Sequence, residues 1–199
     1  MTNNRRHVCV LALSAFIAIS SFARAELAII GVCAGCHGAD GSGAGLDNVP
    51  IIAGTPAAHL EEAVYAYLDG ARQCIEVPAM CAIVATLSES DIAELAEHYG
   101  AMTRHSSGEA FNETLAQTGA RIHKKHCSKC HVRPDDEDVE NALGIPLHGQ
   151  RSAYLKYALN AYLTGDREVL LPAMAHELAE LDADAIEALI HHYASYESP

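Results

Sequence analysis

The chain has 199 residues, with 13 basic against 26 acidic side chains, a formal charge of −13 and 50% hydrophobic residues. That length suits two small domains rather than one large core, and the acidic balance argues against a nucleic-acid partner. Seven cysteines in so short a chain make cysteine spacing the feature to follow.

The first residues read as an export signal. Asn3-Asn4-Arg5-Arg6 is a charged n-region, Val8 to Ile19 an apolar run, and Ala23-Arg24-Ala25 a small-residue cleavage site. The apolar run is shorter than the ~20 residues a membrane span needs, so residues 1–25 are expected to be a cleaved signal peptide. A mature chain starting at Glu26 would be periplasmic, with no membrane span. It would lose Arg5, Arg6 and Arg24, and its formal charge would be about −16.

Cys33-Ala34-Gly35-Cys36-His37 follows at once. Two thiols three positions apart with an adjoining histidine form the attachment signature of a c-type haem: the thiols make thioether bonds and the imidazole becomes the proximal iron ligand. Cys127-Ser128-Lys129-Cys130-His131 repeats the pattern. A zinc site would want four closely grouped ligands, and a dithiol redox pair a strand–helix context. Two covalently bound haem c groups are therefore expected.

The repeat extends well beyond these motifs. At an offset of 94, Pro78-Ala79-Met80 falls on Pro172-Ala173-Met174, and Leu87, Ile92, Leu95 and Tyr99 fall on Leu181, Ile186, Leu189 and Tyr193. At an offset of 95, Ala66-Tyr67-Leu68 falls on Ala161-Tyr162-Leu163, and Gly70 on Gly165. Each half reads as the same helical unit. In the first, Thr55-Pro56 is expected to cap a helix with an apolar face of Leu60, Val64, Tyr67 and Leu68, stopped at Gly70. Ser88 with Asp91 reads as a capping box for a second helix through Ile92, Leu95 and Tyr99 to Gly100. A helix from about Phe111 to His126 leads into the second motif, whereas its counterpart before Cys33 is short. Tyr154 to Leu163 and Ile186 to Tyr193 then copy the first half. No alternating pattern is sustained, so the fold class is all-α. The predicted units are 26–104 and 105–199, with the linker at Met102 to Gly108.

Met80 and Met174 share Pro-Ala-Met contexts at one spacing from their motifs. A lone buried thioether is usually a gap-filler, but the coincidence points to the two distal iron ligands. His176 and Cys81 compete for that role, and neither has a counterpart in the other half. The remaining histidines, His59, His98, His123, His126, His148, His191 and His192, read as surface or cap residues. Pro50 and Pro146 are expected to offer the carbonyls that accept the Nδ1 hydrogen of His37 and His131. Once Cys9 and the four haem thiols are set aside, Cys74 and Cys81 are left. They flank Met80, and in an oxidising compartment they are expected to form a disulfide.

Two class I cytochrome c units in tandem, Cys33–His37 with Met80 and Cys127–His131 with Met174, resemble the periplasmic diheme family of cytochrome c4 and of the cytochrome subunit of flavocytochrome c sulfide dehydrogenase. Phe111 to Ala120, His123, Lys125, Cys127 to Val132 and Tyr154 to Ala158 resemble the latter more closely. Pro50 to Gly54 is closer to the cytochrome c4 pattern, and the Cys74/Cys81 pair matches neither. The resemblance implies a chain with no catalytic residue of its own. It would take single electrons from an FAD-containing sulfide dehydrogenase flavoprotein subunit, through the first haem, and pass them to a soluble cytochrome or oxidase. The flavin would belong to the partner, because Gly41-Ser42-Gly43-Ala44-Gly45 follows a haem motif and not a strand. The other readings are a free cytochrome c4-type shuttle to a terminal oxidase, and a haem enzyme such as a diheme peroxidase or thiosulfate dehydrogenase, which would need an open distal position.

Overall fold

Helix starts are where this sequence speaks most directly. Ser88 accepts from the Asp91 amide while the Asp91 carboxylate accepts from the Ser88 amide, the reciprocal capping that the Ser-x-x-Asp spacing predicts. Asn112 and Asp182 cap two later helices by accepting from the amides of Leu115 and Ala185. The computed structural model describes residues 29–43 and 45–198; the expected signal peptide lies outside them. Helix α1 covers described residues 29–37. Then come α2 (Ala57–Leu68), α3 (Pro78–Val84), α4 (Glu89–Gly100), α5 (Glu113–His126), α6 (Ser152–Thr164), α7 (Pro172–Ala179) and α8 (Ala183–Ala194), with a 3₁₀ turn at Val139–Asn141. Among the described residues there is no strand, only an isolated antiparallel bridge between Arg72 and Arg167. The fold is all-α and is built from one helical unit used twice.

Two local expectations shift. Thr55 does not cap α2, which starts at Ala57 with Pro56 at the cap position and no side-chain bond. The Thr55 hydroxyl, 1% exposed, instead accepts from Arg104 Nη1 at 3.2 Å, so a buried tertiary contact has taken the group from the local one. The two Pro-Ala-Met segments, given no helix in the sequence reading, open short helices with proline in the first turn. That position suits proline, whose missing N–H would have had no helical partner there.

The second unit holds the larger core. Leu155 of α6 packs with Ile186, Leu189, Ile190 and Tyr193 of α8, each fully buried aliphatic side chain contributing about 1.5–3 kcal/mol. Helix α5 crosses α8 at Gly119, where a Cβ would overlap the carbonyl oxygen of Ala188. In the first unit, α4 buries Ile92, Leu95, Ala96 and Tyr99 and packs on α2. Where α8 has the buried Ala188, α4 has the exposed Glu94.

The units are fastened by backbone recognition. The Gln150 side-chain amide spans the peptide of Ile51, accepting from its N–H and donating to its C=O, each at 2.8 Å. Arg151 donates twice to Ser42 O. Arg104, in the linker, reaches Ala53 O and Thr55 Oγ1 on one side and Pro146 O and His148 O on the other. Around the Arg72–Arg167 bridge, Gln73 N donates to Asp166 O at 2.8 Å and Glu168 N to Ala71 O at 2.7 Å.

Candidate haem centres

In the first unit α1 carries Cys33, Cys36 and His37. Gly38 follows at φ 82°, a left-handed turn that glycine adopts freely, and the chain comes back so that Gly43 N donates to His37 O at 2.7 Å. His37 Nδ1 donates to Pro50 O at 3.2 Å. Burial pushes the His37 pKa down, with the Pro50 hydrogen bond opposing. The ring is thereby a neutral imidazole with Nδ1 occupied and Nε2 free to bind iron.

In the second unit the motif follows the end of α5, where the Cys127 amide donates to His123 O at 2.8 Å and the His131 amide to Cys127 O at 2.9 Å. Here the expectation for Pro146 fails. His131 Nδ1 donates to Ile145 O at 2.8 Å, and Pro146 O instead lies 3.5 Å from Arg104 Nη2. The cause is register. Gly54 and Gly149 both donate to the carbonyl of the tyrosine that ends the core helix, Tyr99 and Tyr193. This fixes the segments at an offset of 95, which pairs Pro50 with Ile145, whereas matching proline to proline requires 96. Gly144 makes the approach possible by packing its backbone against the His131 ring.

Cys127, Cys130, His131 and Met174 line one cavity of about 350 Å³, roofed by Leu155 and reaching Ala66 of the first unit. Two thiols, one imidazole and one thioether around an apolar chamber are the donor set that a covalently attached haem needs. The helix carrying Met174 is tied to the motif by His126 Nδ1 and the Glu177 carboxylate at 2.6 Å. That contact holds the Glu177 carboxyl below the usual range. The helix carrying Met80 is tied to the preceding loop by the Cys74–Cys81 disulfide. Cys81 is thereby consumed as a thiolate, and His176 is exposed on α7.

Equivalent tyrosines back the two motifs. Tyr193 OH lies 3.1 Å from His123 Nδ1 and also hydrogen-bonds Cys127; burial holds its pKa well above the ordinary value. Tyr99 OH is buried without a partner, and burial followed by the nearby Cys33 pushes its pKa up to about 12. Burial likewise raises the thiols of Cys33 and Cys127. Between the units Arg72 lies over the Tyr67 ring at 5.5 Å and Arg167 over the Tyr162 ring at 5.0 Å.

Sequence reasoning missed several of these groups. Arg104 looked like a linker residue, yet its guanidinium, whose pKa burial lowers to about 10, stays charged at neutral pH and bonds to four oxygens across both units. Gln150 carried no signal, because its partner is a peptide group 99 residues away. His123 and His148 were read as surface or cap residues and are buried, at 8% and 5% exposure. A signal did exist for the histidines: His123 falls on the apolar stripe of α5 with Ala116 and Gly119.

No model of a known protein family matches the chain. A protein named cytochrome c4 from Pseudomonas aeruginosa is 30% identical over 172 residues, covering 80% of this chain and 82% of that relative. A thiosulfate dehydrogenase electron acceptor from Stutzerimonas stutzeri is 30% identical over 173 residues, covering 82% and 78%. Among solved structures, reduced recombinant cytochrome c4 from Pseudomonas stutzeri shares the fold, with a TM-score of 0.68 at 21% identity, over 86% of this chain and 96% of that one. With two thiol–imidazole motifs on matching helical units and this identity over most of both chains, the protein belongs to the cytochrome c4 family, diheme class I cytochromes c that transfer electrons through two covalently bound haem c groups.

Proposed function

We propose that this chain is a periplasmic relay that receives single electrons from an enzyme oxidising a reduced sulfur compound and delivers them to a soluble cytochrome or terminal oxidase. The observation that carries this reading is the donor set of the second site: Cys127, Cys130, His131 and Met174 line one cavity, which supports a haem whose distal position is taken by a side chain of this chain rather than by a substrate. Haem, when bound, supplies one-electron redox chemistry. Cys33, Cys36, Cys127 and Cys130 attach it, and His37 and His131 present Nε2 because Pro50 O and Ile145 O hold their Nδ1 hydrogens. Met80 and Met174 are the proposed distal ligands. In this reading the bond-breaking belongs to the partner, and this chain only carries the electrons.

The relative named a thiosulfate dehydrogenase electron acceptor supports a thiosulfate-oxidising donor. The likeness of Phe111 to Val132 to the cytochrome subunit of flavocytochrome c supports an FAD-containing, sulfide-oxidising donor instead. Stopped-flow mixing of the oxidised diheme protein separates the two. Rapid haem reduction is expected with thiosulfate only when a thiosulfate dehydrogenase is present, or with sulfide only when the flavoprotein is present. Equally fast reduction by either sulfur compound alone would overturn the relay reading.

A further inference from the structure

Beside the second motif three imidazoles from three different segments meet: His123 of α5, His148 of the loop before α6, and His192 of α8. Their ring centroids are 4.8, 5.3 and 5.1 Å apart, and one ligating nitrogen from each lies within 4.8 Å of the other two. His123 and His148 are buried and His192 is half-buried. His148 Nδ1 is enclosed without any hydrogen-bond partner. An unpaired buried polar atom costs about 1–3 kcal/mol, so this position is unfavourable unless something fills it.

We infer that His123, His148 and His192 form a binding site for a divalent transition-metal ion of the zinc class, separate from the haems. Three imidazoles, with a fourth position left for water, are a donor set that zinc, copper, nickel and cobalt accept. Zn–N bonds of about 2.0–2.1 Å set tetrahedral nitrogens about 3.3 Å apart, so binding would draw the three rings closer than they now lie. His123 is also oriented as a ligating imidazole usually is, by a hydrogen bond on its other nitrogen, here to the Tyr193 hydroxyl at 3.1 Å. Burial holds all three rings in the neutral, metal-binding form.

The repeat supplies an internal control. The equivalent positions of the first unit are Ile29, Ala53 and His98, and that unit builds the same loop and core helix with an alkyl group in place of two of the three rings. The imidazoles are thus not needed to make the fold.

The test is zinc uptake by the intact diheme protein after chelation and desalting, followed by equilibrium dialysis against Zn²⁺ with metal analysis. One tight equivalent per chain is expected. His148→Ala and His192→Asn should each weaken it at least tenfold, and His105→Ala, at an exposed histidine, should leave it unchanged. The visible spectrum of both haems reports folding in every variant; should His148→Ala fail to fold, the half-buried His192 decides. Absence of a tight equivalent in the wild-type protein, or the same affinity in His192→Asn, would overturn the site and leave a packed cluster of imidazoles.

Discussion

At the scale of single residues, the clearest expectation concerns the two methionines. Met174 shares a cavity with His131 and the two thiols, and Met80 occupies the matching place in the first turn of α3. Replacing either with alanine should remove about half of the weak near-infrared charge-transfer band of methionine-ligated ferric haem; a band unchanged in both variants would refute the assignment. A second expectation follows from Glu177. Its carboxyl is held below its ordinary value first by the His126 hydrogen bond. The contact therefore adds stability above the unfolded carboxylate value of about 4.3 and loses it as pH falls through the lower folded value. Wild type and Glu177→Gln should differ in unfolding midpoint at about pH 6 and converge as the pH falls through the lowered folded value. A gap that stayed constant over that range would count against this role. The Cys-x-x-Cys-His motifs and the methionines were legible because their chemistry is local in sequence. The acceptor for His131 was not, because one residue of register decides between the carbonyls of Ile145 and Pro146, and that register is set by a glycine–tyrosine hydrogen bond.

At the scale of elements, the capping box at Ser88 places α4 as its spacing implies, the structure adds Asn112 and Asp182 as the caps of α5 and α8, and Gly165 at φ 83° ends α6 as its position after an apolar run implies. The starts of α3 and α7 went unread because a seven- or eight-residue helix offers too little periodicity to separate from a turn. The disulfide beside α3 joins cysteines seven positions apart and is worth about 2 kcal/mol, an anchor that α7 replaces with His126 and Glu177. The crossing of α5 over α8 depends on one missing side chain. Gly119→Ala must push the helices apart or bend α8, so a loss of about 1–3 kcal/mol or more is expected, read as a lower thermal midpoint with both haem spectra retained at low temperature. An unchanged midpoint would mean that the crossing is looser than described.

At the scale of the whole molecule, two units of one design are joined by contacts to backbone rather than by a shared apolar core. Gln150→Ala would leave the N–H and C=O of Ile51 buried and unpaired, at about 1–3 kcal/mol for each group. Denaturant unfolding followed at the haems should then split into two steps, whereas one step at the wild-type midpoint would show that Gln150 does not couple the units. None of this coupling could be read from sequence, since Gln150, Arg104 and Arg151 act on carbonyls and amides that every residue possesses. The bridge between Arg72 and Arg167 carries a further consequence. The two arginines are 95 positions apart and therefore equivalent, as are Gln73 with Glu168 and Ala71 with Asp166, and the bonds Gln73 N to Asp166 O and Glu168 N to Ala71 O are images of one another. At the bridge each unit thus meets the other with the same patch of surface, related by a local two-fold axis, whereas the Gln150, Arg151 and Arg104 contacts have no such image. An interface of that kind is self-complementary and closes after two copies. At this contact the two units therefore meet as the subunits of a symmetric dimer would, while the linker that carries Arg104 joins them in one chain.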